Sequence, residues 1–183
     1  MFYKINLYFW TLKDLKLVQI LYRLKLLLFK KYPIIKNYIF KRNIAKKNTF
    51  NWIIKNVKFP ENNVYKFLNK TGKVKKFSLT KTIKDEKLWL YNLNYFDFLI
   101  TKAALVKKKQ CVSIIENWIN SKPSENKIGW DPYPTSLRIV NWIKWCLYSK
   151  IYNENILNSL YAQGIYLDKN IEWHLLGNHL IAN

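Results

Sequence analysis

Glycine and proline are scarce, at four and five residues in a chain of 183. A β-sandwich or barrel needs turn signals roughly every 8–12 residues, so this scarcity argues against a turn-rich all-β fold. Cysteine occurs twice, at Cys111 and Cys146. The two lie far apart, with no metal-ligand spacing around them, and each is flanked by helical patterning. Each therefore reads as a small buried hydrophobe rather than half of a bridge. Histidine also occurs only twice, at His174 and His179. Their spacing rules out H-x-x-x-H, and neither a glycine-rich phosphate loop nor a serine nucleophile in a strained turn is present. No metal and no cofactor is expected. No apolar window has the length a membrane-spanning helix needs. Met1–Trp10 is aromatic, and Lys13, Asp14 and Lys16 break any apolar run after it before a signal-peptide cleavage site could follow.

Acid is the largest deficit. Eleven Asp and Glu face 32 Lys and Arg, a formal charge of +21. That balance fits a polyanionic partner: nucleic acid, acidic polysaccharide or an anionic membrane. It equally fits a compositional bias, since Lys, Asn and Ile are abundant throughout and lysine then spreads over solvated faces. Compensating acid in C-terminal sequence beyond this chain is a third source of the imbalance. What the chain has in quantity is apolar surface: 50% of its residues are hydrophobic and 17% aromatic. A chain of this size and composition builds a core and is not disordered.

Helical periodicity supplies most of the organisation. Thr11 as N-cap and Asp14 in the first turn mark a helix start. Leu12, Leu15, Ile20, Leu24, Leu27 and Leu28 then form an apolar stripe, with Lys13, Lys16, Arg23, Lys25 and Lys30 around it and Pro33 as its end. Such a helix can lie on an anionic membrane; docking on its own domain is the favoured reading. Residues 36–87 are the least periodic, with a short strand pair expected around Tyr65–Leu68 and Lys75–Leu79. The aromatics Trp52, Phe59, Tyr65, Phe67 and Phe77 are expected to anchor this connector to the helical body. Asn92 or Asn94 then caps a helix reaching Lys107, and a second helix spans Gln110–Asn120 with Ile114, Ile115, Trp118 and Ile119 inward.

In Trp130-Asp131-Pro132-Tyr133-Pro134-Thr135-Ser136-Leu137-Arg138 the prolines impose an extended approach, and Thr135 or Ser136 caps a further helix. On it Arg138, Asn141 and Trp145 share a face. Guanidinium, amide and indole together suit a sugar acid; periodicity alone favours a core tryptophan and a solvated arginine. A long helical pattern from Asn155 to Leu176 follows, with Leu157, Leu160, Tyr161, Leu167 and Ile171 inward. It feeds Trp173-His174-Leu175-Leu176-Gly177-Asn178-His179-Leu180. On a continuous helix His174 and Asn178 share a face, while His179 points about 100° away. An amide beside an imidazole is acid/base equipment, or else a polar pair satisfied inside a core, which spacing alone favours. The pattern reaches Asn183 with no Gly, Pro or charged last turn, so a chain cut inside its functional region is expected.

Several of these stretches resemble the N-terminal region of bacterial heparinase II/III family proteins, polysaccharide lyases and their close relatives. The matching pieces run from Thr11-Leu12-Lys13 through Gln19–Leu24 and Phe67-Leu68-Asn69 to Leu88–Asp97, Trp130–Arg138 and Glu172–Leu180. They stand in the family's order and cover most of the chain, residues 36–66 and 70–87 least. The resemblance implies an all-α, incomplete α/α toroid, normally followed by a β-sandwich region. It implies β-elimination at the bond 4 to a uronic acid, with Asn178 on the uronate carboxyl group and His179 in proton transfer. The family's acid/base tyrosine and a further histidine fall beyond Asn183, which leaves this chain inactive by itself.

The expectation is therefore an N-terminal helix and irregular connector over 1–87, and the first helix pairs of the toroid over 88–183. Asn178 and His179 are the candidate catalytic residues. Arg138, Asn141, Trp145, Tyr133, Tyr95 and His174 are candidates for substrate binding. The partners are an acidic polysaccharide and the missing C-terminal half of the same protein, with no specific nucleic acid and no transmembrane segment. The resemblance points to periplasm or cell envelope; the lack of a visible signal peptide leaves the cytoplasm as the alternative. Two other functions fit the residues: a non-catalytic acidic-glycan binder of the same fold, and a basic helical nucleic-acid binder, against which the dispersion of the basic residues counts.

Overall fold

The computed structural model describes residues 10, 13–29, 54–77 and 86–182; within the helices, the side chains of Phe29, Asn178, His179 and Ala182 lie outside the described set. Thr11, Pro33, Trp52 and Leu79 also lie outside it. The described chain is mostly helical, with one two-stranded sheet.

Helix α1, Leu17–Phe29, starts later than the Asp14 signal suggested. Its first turn is closed by Gln19, whose side-chain oxygen accepts from the Lys16 amide at 2.9 Å. This is the return half of a capping box, supplied by Gln at the third helical position. The helix docks through its Gln19 and Tyr22 side: Gln19 Nε2 donates to the His174 carbonyl, and Tyr22 packs against Trp173 at 6.1 Å. Of the stripe expected to dock, Leu15 and Ile20 are half-buried but Leu24, Leu27 and Leu28 are exposed, and Leu12 lies outside the described residues.

The connector holds a hairpin, β1 Val64–Phe67 antiparallel to β2 Lys70–Lys73. The second strand begins five residues before the expected Lys75, because Leu68 and Asn69 both take positive φ, 52° and 60°, and turn the chain in two residues. That primed turn matches the twist of the strands it joins, but leucine at its first position hid it in the sequence. Tyr65 and Phe67 alternate inward and join Phe59, Val74 and Phe77 in a core continuous with Trp89, Phe96 and Phe98 of the helical part. Four of the aromatics expected to anchor the connector, Phe59, Tyr65, Phe67 and Phe77, do so.

Helix α2, Lys87–Tyr95, begins before Asn92 and ends at Phe96, which adopts the left-handed conformation at φ 58°. Neither Asn92 nor Asn94 is a cap; both amides donate back to the carbonyl four residues earlier. A 3₁₀ turn at Asp97–Ile100 leads to α3, Lys102–Val106, capped by Thr101. Helix α4, Lys108–Ile119, buries Ile114, Ile115 and Trp118 as expected, along with the free thiol Cys111. Helix α5, Pro132–Ser149, starts at Pro132 itself. Both prolines stand in its first turn, where the absent N–H groups would have had no partner; Thr135 and Ser136 are inside the helix, not at its cap.

Helix α6, Glu154–Lys169, is capped by Asn153, which accepts from the amides of Asn155 and Ile156. Its inward face is Ile156, Ser159, Ala162, Gln163, Tyr166 and Leu167, with Tyr161 exposed instead of buried. The helix stops at Asn170 and does not run on to Leu176. A turn at Trp173–Leu175 and positive φ at Leu176 and Gly177 precede a separate helix α7, Gly177–Ala182. His174 and Asn178 are thus not one turn apart on a single helix. Helix α5 is central: it packs against α2, α6 and α7, while α4 packs against α6.

Tyr65 tests the depth of this core. Burial pushes its phenol well above the ordinary value of 10.0. A raised folded-state pKa contributes stability that is fully present below pH 10 and is lost as pH rises past it. Tyr65→Phe removes that penalty. Relative to the parent, the variant should gain in urea midpoint between pH 8 and about pH 11, lysine neutralisation acting equally on both. A constant difference across that range would place the hydroxyl in water.

Candidate functional site

Three of the sequence stretches singled out above are adjacent in space. Leu88–Asp97 forms α2 and its end, Trp130–Arg138 opens α5, and the segment after Asn170 returns to the same side through α7. Their junction carries a row of tyrosines. Tyr95 and Tyr133 meet edge to face at 5.8 Å, and Tyr91 continues the row at 6.3 Å from Tyr95. Tyr91 and Tyr133 are half-buried and Tyr95 nearly buried.

Asp131, just ahead of α5, accepts from the Tyr91 hydroxyl at 2.7 Å and lies 3.7 Å from Lys87 Nζ. The Lys87 ammonium also sits over the Tyr91 ring at 5.1 Å. Burial is the first cause that raises the Tyr91 phenol; the bond to Asp131 and the charges of Asp131 and Glu172 add to it. Tyr95 is pushed up to about 12 by burial, with Tyr133 and Asp97 contributing. Both phenols are therefore proton donors at neutral pH and present faces of aromatic carbon, not phenolate charge.

The face Arg138–Asn141–Trp145 has a different use. Arg138 is 0% exposed. Its Nε donates to Gln163 Oε1 at 2.7 Å, Nη1 to the Gly129 carbonyl at 2.6 Å and the Asn94 carbonyl at 3.5 Å, and Nη2 to Thr135 Oγ1 at 3.2 Å. The guanidinium lies 3.9 Å from the centre of the Trp118 ring and 5.7 Å from that of Trp130. Burial pulls its pKa well down, with Tyr166 acting in the opposite sense; an arginine starts high enough to keep its proton.

Asn141 donates to the Tyr95 carbonyl and to Asp97 Oδ1, both at 2.8 Å. Trp145 is 1% exposed, its indole N–H 3.5 Å from the Ala104 carbonyl. These three residues are core, and the expectation that they face a sugar acid is corrected here. They share a face because α5 is the central helix, and the hydrogen bonds of all three go to protein groups.

Gly129 shows how tight the arrangement is. A Cβ there would lie 2.4 Å from Asn94 Oδ1 and 2.5 Å from Asn126 Nδ2. Asn94 in turn takes the Trp118 indole proton at 2.8 Å and the Asn126 amide at 3.2 Å. A polar network thus runs through the aromatic core, satisfied at almost every atom, and such networks fix one arrangement of the packed helices.

The structure brings the rings of Tyr95 and Tyr133 together; Asn141 meets Tyr95 only at its main-chain carbonyl, and Arg138 and Trp145 are buried in the core. His174 lies half-buried in the turn ahead of α7, with its carbonyl engaged by Gln19. Asn178 and His179 belong to the backbone of α7, which packs on α5. Sequence reasoning did not assign Tyr91, Asp131 or Gln163 a role. Tyr91 stands four residues before Tyr95 and Asp131 at the proline-marked start of α5, signals that were available; nothing local marked Gln163 as the partner of Arg138. Among the described residues no group of His, Cys, Asp and Glu is placed to hold a metal ion. No family model, no curated protein and no solved structure matches the chain.

Proposed function

We propose that this chain is the N-terminal helical part of a heparinase II/III-like polysaccharide lyase, its helices α2 to α6 being the first pairs of an α/α toroid. The chain's own contribution is to grip a uronic-acid polysaccharide along the tyrosine row. What supports the reading is one juxtaposition: the tyrosines of Leu88–Asp97 and Trp130–Arg138 form a single aromatic edge, beside the segment that leads into Gly177-Asn178-His179. Sugar rings present C–H faces that stack on such aromatic edges, and hydroxyls that Tyr91 and Tyr133 can meet. The resemblance assigns Asn178 to the uronate carboxyl group and His179 to proton transfer, and cleavage would further require an acid/base tyrosine and a second histidine. A chain that binds without cleaving is the second reading; it fits the chain equally as long as those groups are absent.

Binding separates the glycan readings from the nucleic-acid one. Affinity for any anionic polymer should fall with salt, because +21 of charge releases counterions. Acidic polysaccharide should nevertheless be held at least as well as DNA of matched charge density. Tyr133→Ala should lower polysaccharide affinity on the order of tenfold, the size of one half-buried aromatic contact, and leave DNA affinity unchanged. Preference for DNA with base discrimination, or equal loss on both polymers, would reject the glycan reading.

A further inference from the structure

Helix α1 carries its leucines on the wrong side for a core. Successive residues stand about 100° apart around a helix, so Leu17, Leu21, Leu24 and Leu28 fall within an arc of about 60°. All four are exposed, at 77%, 59%, 50% and 73% of their surface, and Leu27, beside them, at 82%. Val18, Gln19, Tyr22 and Leu26, on the opposite side, are half-buried and turn toward the body; Ile20, inside the leucine sector between Leu27 and Leu24, is half-buried as well. The helix is anchored there by the Gln19–His174 bond and the Tyr22–Trp173 contact. An exposed leucine taken singly is ordinary; five on one face of one helix form a contiguous patch.

The flanks of that patch say what covers it. With Leu27 included it spans about 120°, and cations border it on both sides: Lys25 at one edge, Lys16 and Arg23 at the other. All three are exposed, and no Asp or Glu occurs within Leu17–Phe29. Asp14, ahead of the helix, is the nearest described acid in sequence. An apolar sector bounded by cations is the geometry of a helix lying in the plane of an anionic bilayer. The leucines enter the acyl boundary and the ammonium and guanidinium groups meet phosphate. At thirteen residues the helix is about 20 Å long, short of the roughly 30 Å hydrocarbon core. No helix among the described residues is long and apolar enough to cross.

We propose that α1 is an interfacial helix that docks this protein on an anionic lipid surface through Leu17, Leu21, Leu24, Leu27 and Leu28. Its Gln19–Tyr22 side carries the rest of the chain. This inference stands apart from the glycan reading, since it uses a different face and a different helix.

The test is flotation of the full chain with phosphatidylcholine vesicles, with and without phosphatidylglycerol. It is run beside the triple variant Leu21→Ser/Leu24→Ser/Leu28→Ser, which removes apolar surface and no charge. The parent should float with the anionic vesicles and only weakly with the neutral ones. The triple variant should lose at least about tenfold in partitioning, while its far-UV circular dichroism and its retention on immobilised heparin stay unchanged. Equal partitioning of parent and variant would overturn the proposal, because charge alone would then hold the protein. So would failure of the parent to float. A parent that sediments as a dimer without lipid, and becomes monomeric in the triple variant, would overturn it in favour of a second copy of the chain on this face.

Discussion

Arg138→Ala should destabilise the protein by about 3–5 kcal/mol, enough to unfold much of a domain of ordinary stability. The substitution strips donors from Gln163, Gly129, Thr135 and Asn94, all buried around the guanidinium, and leaves a cavity against the Trp118 ring. Unpaired buried acceptors and a cavity are separate costs, and here they coincide. Arg138→Lys should fail nearly as badly, since an ammonium can neither fork to Gly129 and Thr135 nor stack flat on Trp118. Urea denaturation followed by near-ultraviolet circular dichroism reads both, the aromatic signal reporting the tryptophans directly. Loss of glycan binding with an unchanged urea midpoint would instead put Arg138 on a ligand-facing surface.

That contrast shows what the sequence did and did not make legible. Helix identity came through wherever apolar spacing was regular: α4 and α5 lie close to where periodicity put them, and the buried thiols Cys111 and Cys146 are where an inward helical face requires. Boundaries failed where the backbone did something that only tertiary contacts support. Phe96, Leu68 and Leu176 adopt positive φ without being glycine, a cost of order 1–3 kcal/mol each that packing offsets and local sequence cannot announce.

Polar roles were harder still. An arginine in phase with an asparagine and a tryptophan looks like a recognition surface, and the same pattern is what a buried polar network needs. Deciding between them requires Gln163, Gly129 and Asn94, which are brought to Arg138 by three different parts of the fold. The leucine stripe of α1 is the converse case. Its periodicity was plain, but which of the helix's two apolar sides meets the body was fixed by Gln19 and Tyr22.

On the proposed lyase reading, the largest effect on activity is expected from Asn178→Ala, measured in a protein that also supplies the acid/base tyrosine and second histidine which that reading requires. In β-elimination, abstraction of the C5 proton places negative charge on the uronate carboxyl group. An amide that donates to it stabilises the transition state more than the bound substrate. Loss of such a donor costs on the order of 100- to 1000-fold in rate, and the loss belongs in kcat with KM little changed. The readout is the ultraviolet absorbance of the unsaturated uronate product, with thermal melting as a check that the variant is folded. His179→Ala should fall as far, because proton transfer is then the missing function. His174→Ala should be milder, since the contact that docks α1 there uses the main-chain carbonyl, which the substitution keeps. Full lyase activity in folded Asn178→Ala would remove the pair from the chemistry and leave it as two polar residues of α7.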